Sequence, residues 1–153
     1  MSVSAKLASM NVELPPVVPP VAAYIPASVQ GTLVFTSGQL PVVDGYVVST
    51  GPLSDGASDE AIAQAQKAAR ACALNAIAAA ADIAGGVDKL ARVVKATVFV
   101  ASSQGFVDQA KVANGASEFL QEVFSSAHAR SAVGVVGLPM NATVEVELIF
   151  ELA

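Results

Sequence analysis

The stretch Ala129-Arg130-Ser131-Ala132-Val133-Gly134-Val135-Val136-Gly137-Leu138-Pro139, followed by Thr143-Val144-Glu145-Val146-Glu147-Leu148-Ile149-Phe150-Glu151, decides how this chain is read. Two apolar, β-branched runs flank the turn cluster Gly137-Leu138-Pro139-Met140-Asn141, a pattern that predicts two strands closing the chain as a hairpin. Strand side chains alternate, so Val144, Val146, Leu148 and Phe150 share one face while Glu145, Glu147 and Glu151 share the other. Arg130 stands at the mouth of the first run and is the only cation after Lys111. Set among carboxylates and apolar strands, it marks a candidate anion site with a base nearby.

Upstream, Arg92-Val93-Val94-Lys95-Ala96-Thr97-Val98-Phe99-Val100-Ala101 reads as a further strand, and Gly31 to Gly38 as another, ending at Ser37-Gly38-Gln39. Asp44-Gly45 is a hairpin signal with Tyr46 to Ser49 as the partner strand. Ser58 caps a helix from Asp59 to Ala84, with Asp59 and Glu60 in the first turn and Gly85-Gly86 as the stop. Ile62, Ala65, Ala69, Ala73, Ala76 and Ala80 recur on one face of it, small enough for close packing on a sheet. A second helix is predicted over Val112 to Phe124, with Val112, Ala116, Phe119, Leu120 and Val123 inward and Asn114-Gly115 marking its start. Residues 1–23 read as an extended arm, because Pro15, Pro16, Pro19 and Pro20 preclude a helix there, with Val17, Val18 and Val21 available to pack on the body or on a neighbour. The remainder, 24–153, reads as a single domain.

The order of strands and two helices predicts an α+β fold with both helices on one face of the sheet. With 54% hydrophobic and 14% charged residues, the bare face is expected to be buried by self-association. A net charge of −5 disfavours nucleic acid as a partner. Cys72 is the one cysteine and His128 the one histidine, so neither a disulfide within the chain nor a zinc-type ligand set is expected. No apolar run reaches the roughly 20 residues of a membrane span, and the expectation is a soluble, cytoplasmic protein without membrane contact.

Three motifs in order, Gly31-x-x-Val34-x-Thr36-Ser37-Gly38-Gln39-x-Pro41, then Val93-Val94-Lys95-x-Thr97-Val98-Phe99-Val100, then Ala129-Arg130-Ser131-x-Val133-x-Val135-x-x-Leu138-Pro139 with Val144-Glu145-Val146-Glu147, resemble the Rid family. These are the reactive intermediate imine deaminases, also called YjgF proteins, and the likeness runs from about Tyr24 to Leu152. The resemblance implies a chorismate-mutase-like (YjgF-like) mixed β-sheet and a homotrimer with sites in the clefts between subunits. It implies hydrolysis of 2-imino acids, such as 2-iminopropanoate, to 2-oxo acids and ammonia, with no cofactor. By the same resemblance Arg130 clamps the substrate carboxylate, Glu145 handles the water, and Tyr24, Ser37, Gly38 and Asn114 line the site. Ala132 stands where the family often has Cys, Ala22-Ala23-Tyr24 replaces Gly-Pro-Tyr, and His128 replaces the usual proline, features of a longer-loop subgroup.

The residue types suit that chemistry. A guanidinium grips a carboxylate through two parallel N–H bonds, fixing orientation as well as place. A carboxylate at Glu145 can take a proton from water and return it to the departing nitrogen. Ser37, or the backbone at Gly38, is placed to hydrogen-bond the tetrahedral intermediate. Two other readings stay open: a trimer that binds a small carboxylate metabolite without turnover, and a regulatory trimer acting through protein partners.

Overall fold

Burial, more than local sequence, decides how the strands are ordered, and the computed structural model, which describes residues 1–20 and 22–153, makes this plain at the C-terminal end. The elements are α1 (Val3–Ser9), β1 (Ala27–Gln30), β2 (Leu33–Thr36), β3 (Val42–Val43), β4 (Tyr46–Val47), α2 (Asp59–Ala84), β5 (Leu90–Ala101), α3 (Gln109–Phe124), β6 (Ala129–Val135) and β7 (Val144–Leu152). Five strands form one mixed sheet in the order β1-β2-β7-β5-β6, with β6 parallel to β5 and the other pairs antiparallel. The predicted closing hairpin does not form. β6 and β7 take opposite edges of β5, and residues 136–143 cross between them. Val144, Val146, Leu148 and Phe150 are fully enclosed, so β7 must be central, whereas every residue of β6 is exposed or half-buried, as suits an edge. The parallel pairing of β6 with β5 is supplied by α3, the crossover that such a pair requires.

The helices follow their signals closely in one case and not in the other. At the start of α2, Ser58 Oγ accepts from the Ala61 N–H at 3.1 Å. At its end Gly85 is left-handed (φ 81°), and the Gly86 N–H reaches the Ala81 carbonyl at 2.8 Å. Ala65, Ala69, Ala73, Ala76 and Ala80 are buried as their spacing predicts, and Cys72 beside them is a fully enclosed small hydrophobe, its thiol pKa pushed well up by burial. In contrast, α3 begins at Gln109, so Asn114-Gly115 lies inside it. The reason is tertiary: a Cβ on Gly115 would collide with the backbone carbonyl of Gln66 on α2. The glycine lets the two helices touch and offsets its poor helix propensity of about 1 kcal/mol. Gly115→Ala, which improves propensity, is therefore expected to lower stability by about 2 kcal/mol, read from urea unfolding; an unchanged or raised midpoint would refute the close-contact role.

Two further predictions are corrected upstream. The strand expected over residues 31–38 is shorter, and its hairpin partner lies before it, with β1 and β2 joined at Gly31-Thr32. The Asp44-Gly45 turn does form (φ 51° and 85°), but it joins β3 to β4 in a separate two-stranded sheet. Asn75 of α2 ties that hairpin down, its Nδ2 donating to the Leu40 and Val42 carbonyls at 3.0 Å each.

The N-terminal arm is not extended throughout. Val3–Ser9 is helical, capped by Ser2, and Ser4 donates from its backbone and hydroxyl to Asp88 at 2.8 and 2.7 Å, holding that carboxyl below its usual range. The proline argument applies only from Pro15 onward, where no regular element forms. Leu7 is buried, and Val12, Leu14 and Val17 pack on the core; Val21 lies outside the described residues.

α2 and α3 cover one face of the sheet. The opposite face carries Phe35 and Val133, each about two-fifths exposed (39% and 41%). No helix among the described residues is long and apolar enough to cross a membrane.

Candidate active site

The residues singled out by sequence fall into two groups. The first gathers where β2 ends against β7. Gln39 exchanges two backbone hydrogen bonds with Val146, at 2.8 and 3.0 Å, so the residues leaving β2 continue along β7. This lays Gly38 directly on Glu145, and a Cβ at Gly38 would collide with the Glu145 carboxylate. Ser37 pins the preceding segment: its N–H donates to the Pro26 carbonyl at 2.8 Å and its Oγ to the Ile25 carbonyl at 2.6 Å. Tyr24, about half exposed, is thereby tethered close to Ser37 and Gly38. Because Val144 and Val146 point into the core, Glu145 projects from the bare face of the sheet. Its pKa is raised, first by burial and second by the neighbouring Glu147. Arg130 is not among the groups that shift it within one chain.

The second group lies across the sheet, on the helix side of β6. Arg130 Nη1 donates to Asn114 Oδ1 at 2.8 Å and to Ser117 Oγ at 3.2 Å, both on α3. Asn114 and Ser117 are one helical turn apart and so face the same way. Arg130 takes part in none of the ion pairs among the described residues, and it is exposed. Its positive charge therefore meets neutral oxygens on one nitrogen only. The opposite edge, Nε and Nη2, makes no hydrogen bond among the described residues and has the parallel geometry a carboxylate accepts. His128, two residues earlier on the approach to β6, joins this group through Ser117 (Nε2 to Oγ, 3.0 Å). Sequence reasoning singled out Asn114 but passed over Ser117; its i+3 spacing from Asn114 was the available signal.

The two groups cannot serve one small molecule within a single chain. Arg130 is level with Ala96 of β5 and Glu145 with Phe99, on opposite flanks of that strand. Strand rise and spacing put their Cα atoms roughly 14 Å apart. Moreover, one side chain engages α3 while the other leaves from the bare face. Among the described residues no cluster of three His, Cys, Asp or Glu side chains could hold a metal ion.

The family model described as "YjgF/chorismate_mutase-like, putative endoribonuclease" matches residues 4–152. The chain belongs to the YjgF family. That match takes in nearly all of α1. Protein TCP17 of Trypanosoma cruzi is 42% identical over 153 residues, covering 98% of this chain and 94% of that one. The crystal structure of Atu1372 from Agrobacterium tumefaciens, a protein of unknown function, is 38% identical with a TM-score of 0.84, covering 99% of this chain and 92% of that one. E. coli TdcF with bound serine is 27% identical with a TM-score of 0.63, covering 92% and 94%. Helices packed on a mixed sheet, as found here, are the YjgF fold.

Proposed function

We propose that this YjgF protein is a homotrimer that hydrolyses 2-imino acids, such as 2-iminopropanoate, in clefts where the Glu145 group of one subunit faces the Arg130 group of the next. The observation that carries the reading is Arg130 itself: an exposed guanidinium, held through one nitrogen by Asn114 and Ser117, with no hydrogen bond on its bidentate edge among the described residues. A polar arginine oriented by neutral partners is prepared for an anion that arrives later. The separation of the two groups within one chain, together with the apolar bare face around Phe35 and Val133, supports assembly as the means of joining them.

In such a cleft Arg130 holds the substrate carboxylate and so fixes the adjacent C=N carbon. The Glu145 carboxylate takes a proton from water as the water oxygen bonds to that carbon and the C=N electrons move to nitrogen. Glu145 returns that proton to nitrogen, giving a neutral carbinolamine; it then takes the hydroxyl proton as C=O forms and passes it to the nitrogen, the C–N bond breaks, and ammonia leaves. A carboxyl with a raised pKa is a stronger base once ionised, which suits both steps. The Ser37 hydroxyl hydrogen is committed to the Ile25 carbonyl, so on that side contact with the intermediate falls to the Ser37 lone pairs and the backbone at Gly38. No cofactor has a role in this scheme, and the partners it needs are the small 2-imino or 2-oxo acid and two further copies of the chain.

A serine or threonine dehydratase supplies the unstable imine in a coupled assay. The proposal expects faster release of the 2-oxo acid than in buffer and sedimentation as a trimer; a stable monomer of about 15 kDa at micromolar concentration would remove the shared cleft. A second reading, retention of a small carboxylate without turnover, is favoured by the likeness to a TdcF structure that holds serine. It would take precedence if the chain binds 2-oxo acids yet leaves the imine half-life unchanged. RNA cleavage, suggested by the family description, sits poorly with a net charge of −5.

A further inference from the structure

Resting on the carboxylate-clamp reading of Arg130, we infer that His128 and Ser117 form a neutral prop that sets the orientation of the Arg130 guanidinium. One direction of donation uses every group in both contacts. Arginine can only donate, so the Arg130 Nη1–Ser117 Oγ contact of 3.2 Å uses a lone pair of the serine. The serine hydrogen is then free to go to His128 Nε2, 3.0 Å away, which accepts it as part of an uncharged ring. Donation thus runs from arginine to serine to histidine, and each member orients the one before it.

A charged imidazole would reverse the last link. It would donate to Ser117 in competition with Arg130 and set two cations around one hydroxyl. The surroundings oppose that state: the His128 pKa is lowered, first by burial and second by Arg130. The neutral ring that accepts at Nε2 carries its hydrogen on Nδ1, which is enclosed with no protein partner among the described residues, so a charge added to the ring would be half-buried without a counter-group. Asn114 supplies the second hold on Nη1 at 2.8 Å, so losing the prop should loosen the guanidinium without releasing it. His128 is accordingly a positioning residue, two hydrogen bonds removed from Arg130, and it replaces the proline expected from the family pattern with a side chain that can accept a hydrogen bond.

Because His128 is the only histidine in the chain, its ring gives a single set of 15N resonances. The test combines that signal with calorimetric binding of pyruvate to the assembled wild type and to Ser117→Ala, His128→Leu, His128→Gln and Arg130→Ala. The inference expects a neutral ring at pH 7 whose Nε2 resonance moves in Ser117→Ala. It also expects pyruvate affinity lowered about fivefold in Ser117→Ala and His128→Leu, retained within about twofold in His128→Gln, whose Oε1 can replace Nε2 as acceptor, and lowered most in Arg130→Ala. Thermal unfolding of each variant identifies any general loss of fold. An Nε2 resonance indifferent to Ser117→Ala overturns the prop whatever the ligand data. Wild-type affinity in both Ser117→Ala and His128→Leu, with binding lost in Arg130→Ala, overturns the prop and leaves the clamp standing. Pyruvate binding unaffected by Arg130→Ala, or absent from the wild type, overturns the clamp and the prop together.

Discussion

Arg130→Ala is expected to reduce kcat/KM for dehydratase-generated imine by roughly 10²-fold or more, since the carboxylate then enters the cleft without a counter-charge or a bidentate partner. Arg130→Lys restores charge but offers a point donor in place of a planar fork, and should recover only part of the loss, remaining at least about tenfold below wild type. The physical ground is the free Nε and Nη2 edge and the fixed Nη1, which a lysine ammonium cannot reproduce. Neither variant should dissociate the proposed trimer, because Arg130 belongs to no ion pair among the described residues and is exposed. Equal turnover by wild type and Arg130→Ala would end the clamp mechanism.

Glu145→Gln should lower kcat by roughly 10²-fold while leaving KM nearly unchanged, because the amide keeps size and hydrogen-bonding capacity but cannot take the proton of water. The pH profile provides an independent reading. Only ionised Glu145 acts as base, and its pKa is raised by burial and by Glu147, so activity should fall as pH drops through a value above the ordinary carboxyl range near 4.3. That acid limb should vanish in Glu145→Gln. Co-refolding equal amounts of Arg130→Ala and Glu145→Gln chains tests the shared cleft directly. If each site draws its base from one subunit and its clamp from the next, about a quarter of the sites in random mixed trimers combine two intact halves. Recovery of about a quarter of wild-type activity from two nearly inactive chains is the expected result. No recovery, with mixed trimers demonstrated by mass, would place both residues in the service of one chain's site and contradict the geometry of opposite faces.

The residue patterns carried some of this a long way. Ser58 and Gly85 bounded α2 correctly because a cap and a left-handed stop act within a few residues and owe nothing to the rest of the fold. The alternation of Val144, Val146, Leu148 and Phe150 against Glu145 and Glu147 identified which side of β7 is buried, since pleating imposes that period on any strand. The motifs around Ser37, Arg130 and Glu145 were enough to identify the family.

Strand pairing was a different matter. Nothing in residues 129–151 distinguishes a hairpin from two strands on opposite flanks of β5; the choice depends on which strand must be covered from both edges, and that is settled by the whole core. In the same way, Asn114-Gly115 reads locally as a helix start, yet contact with Gln66 on α2 makes the glycine an interior requirement. The sequence by itself determined the type of most elements from Leu33 onward, the buried faces of α2 and β7, and the family to which the chain belongs, because those follow from short-range periodicity and motif. Only the tertiary structure decided that Arg130 is gathered with Asn114, Ser117 and His128 while Glu145 is gathered with Gly38, because side chains distant in the chain become neighbours only once the sheet order and the helix seat on it are set.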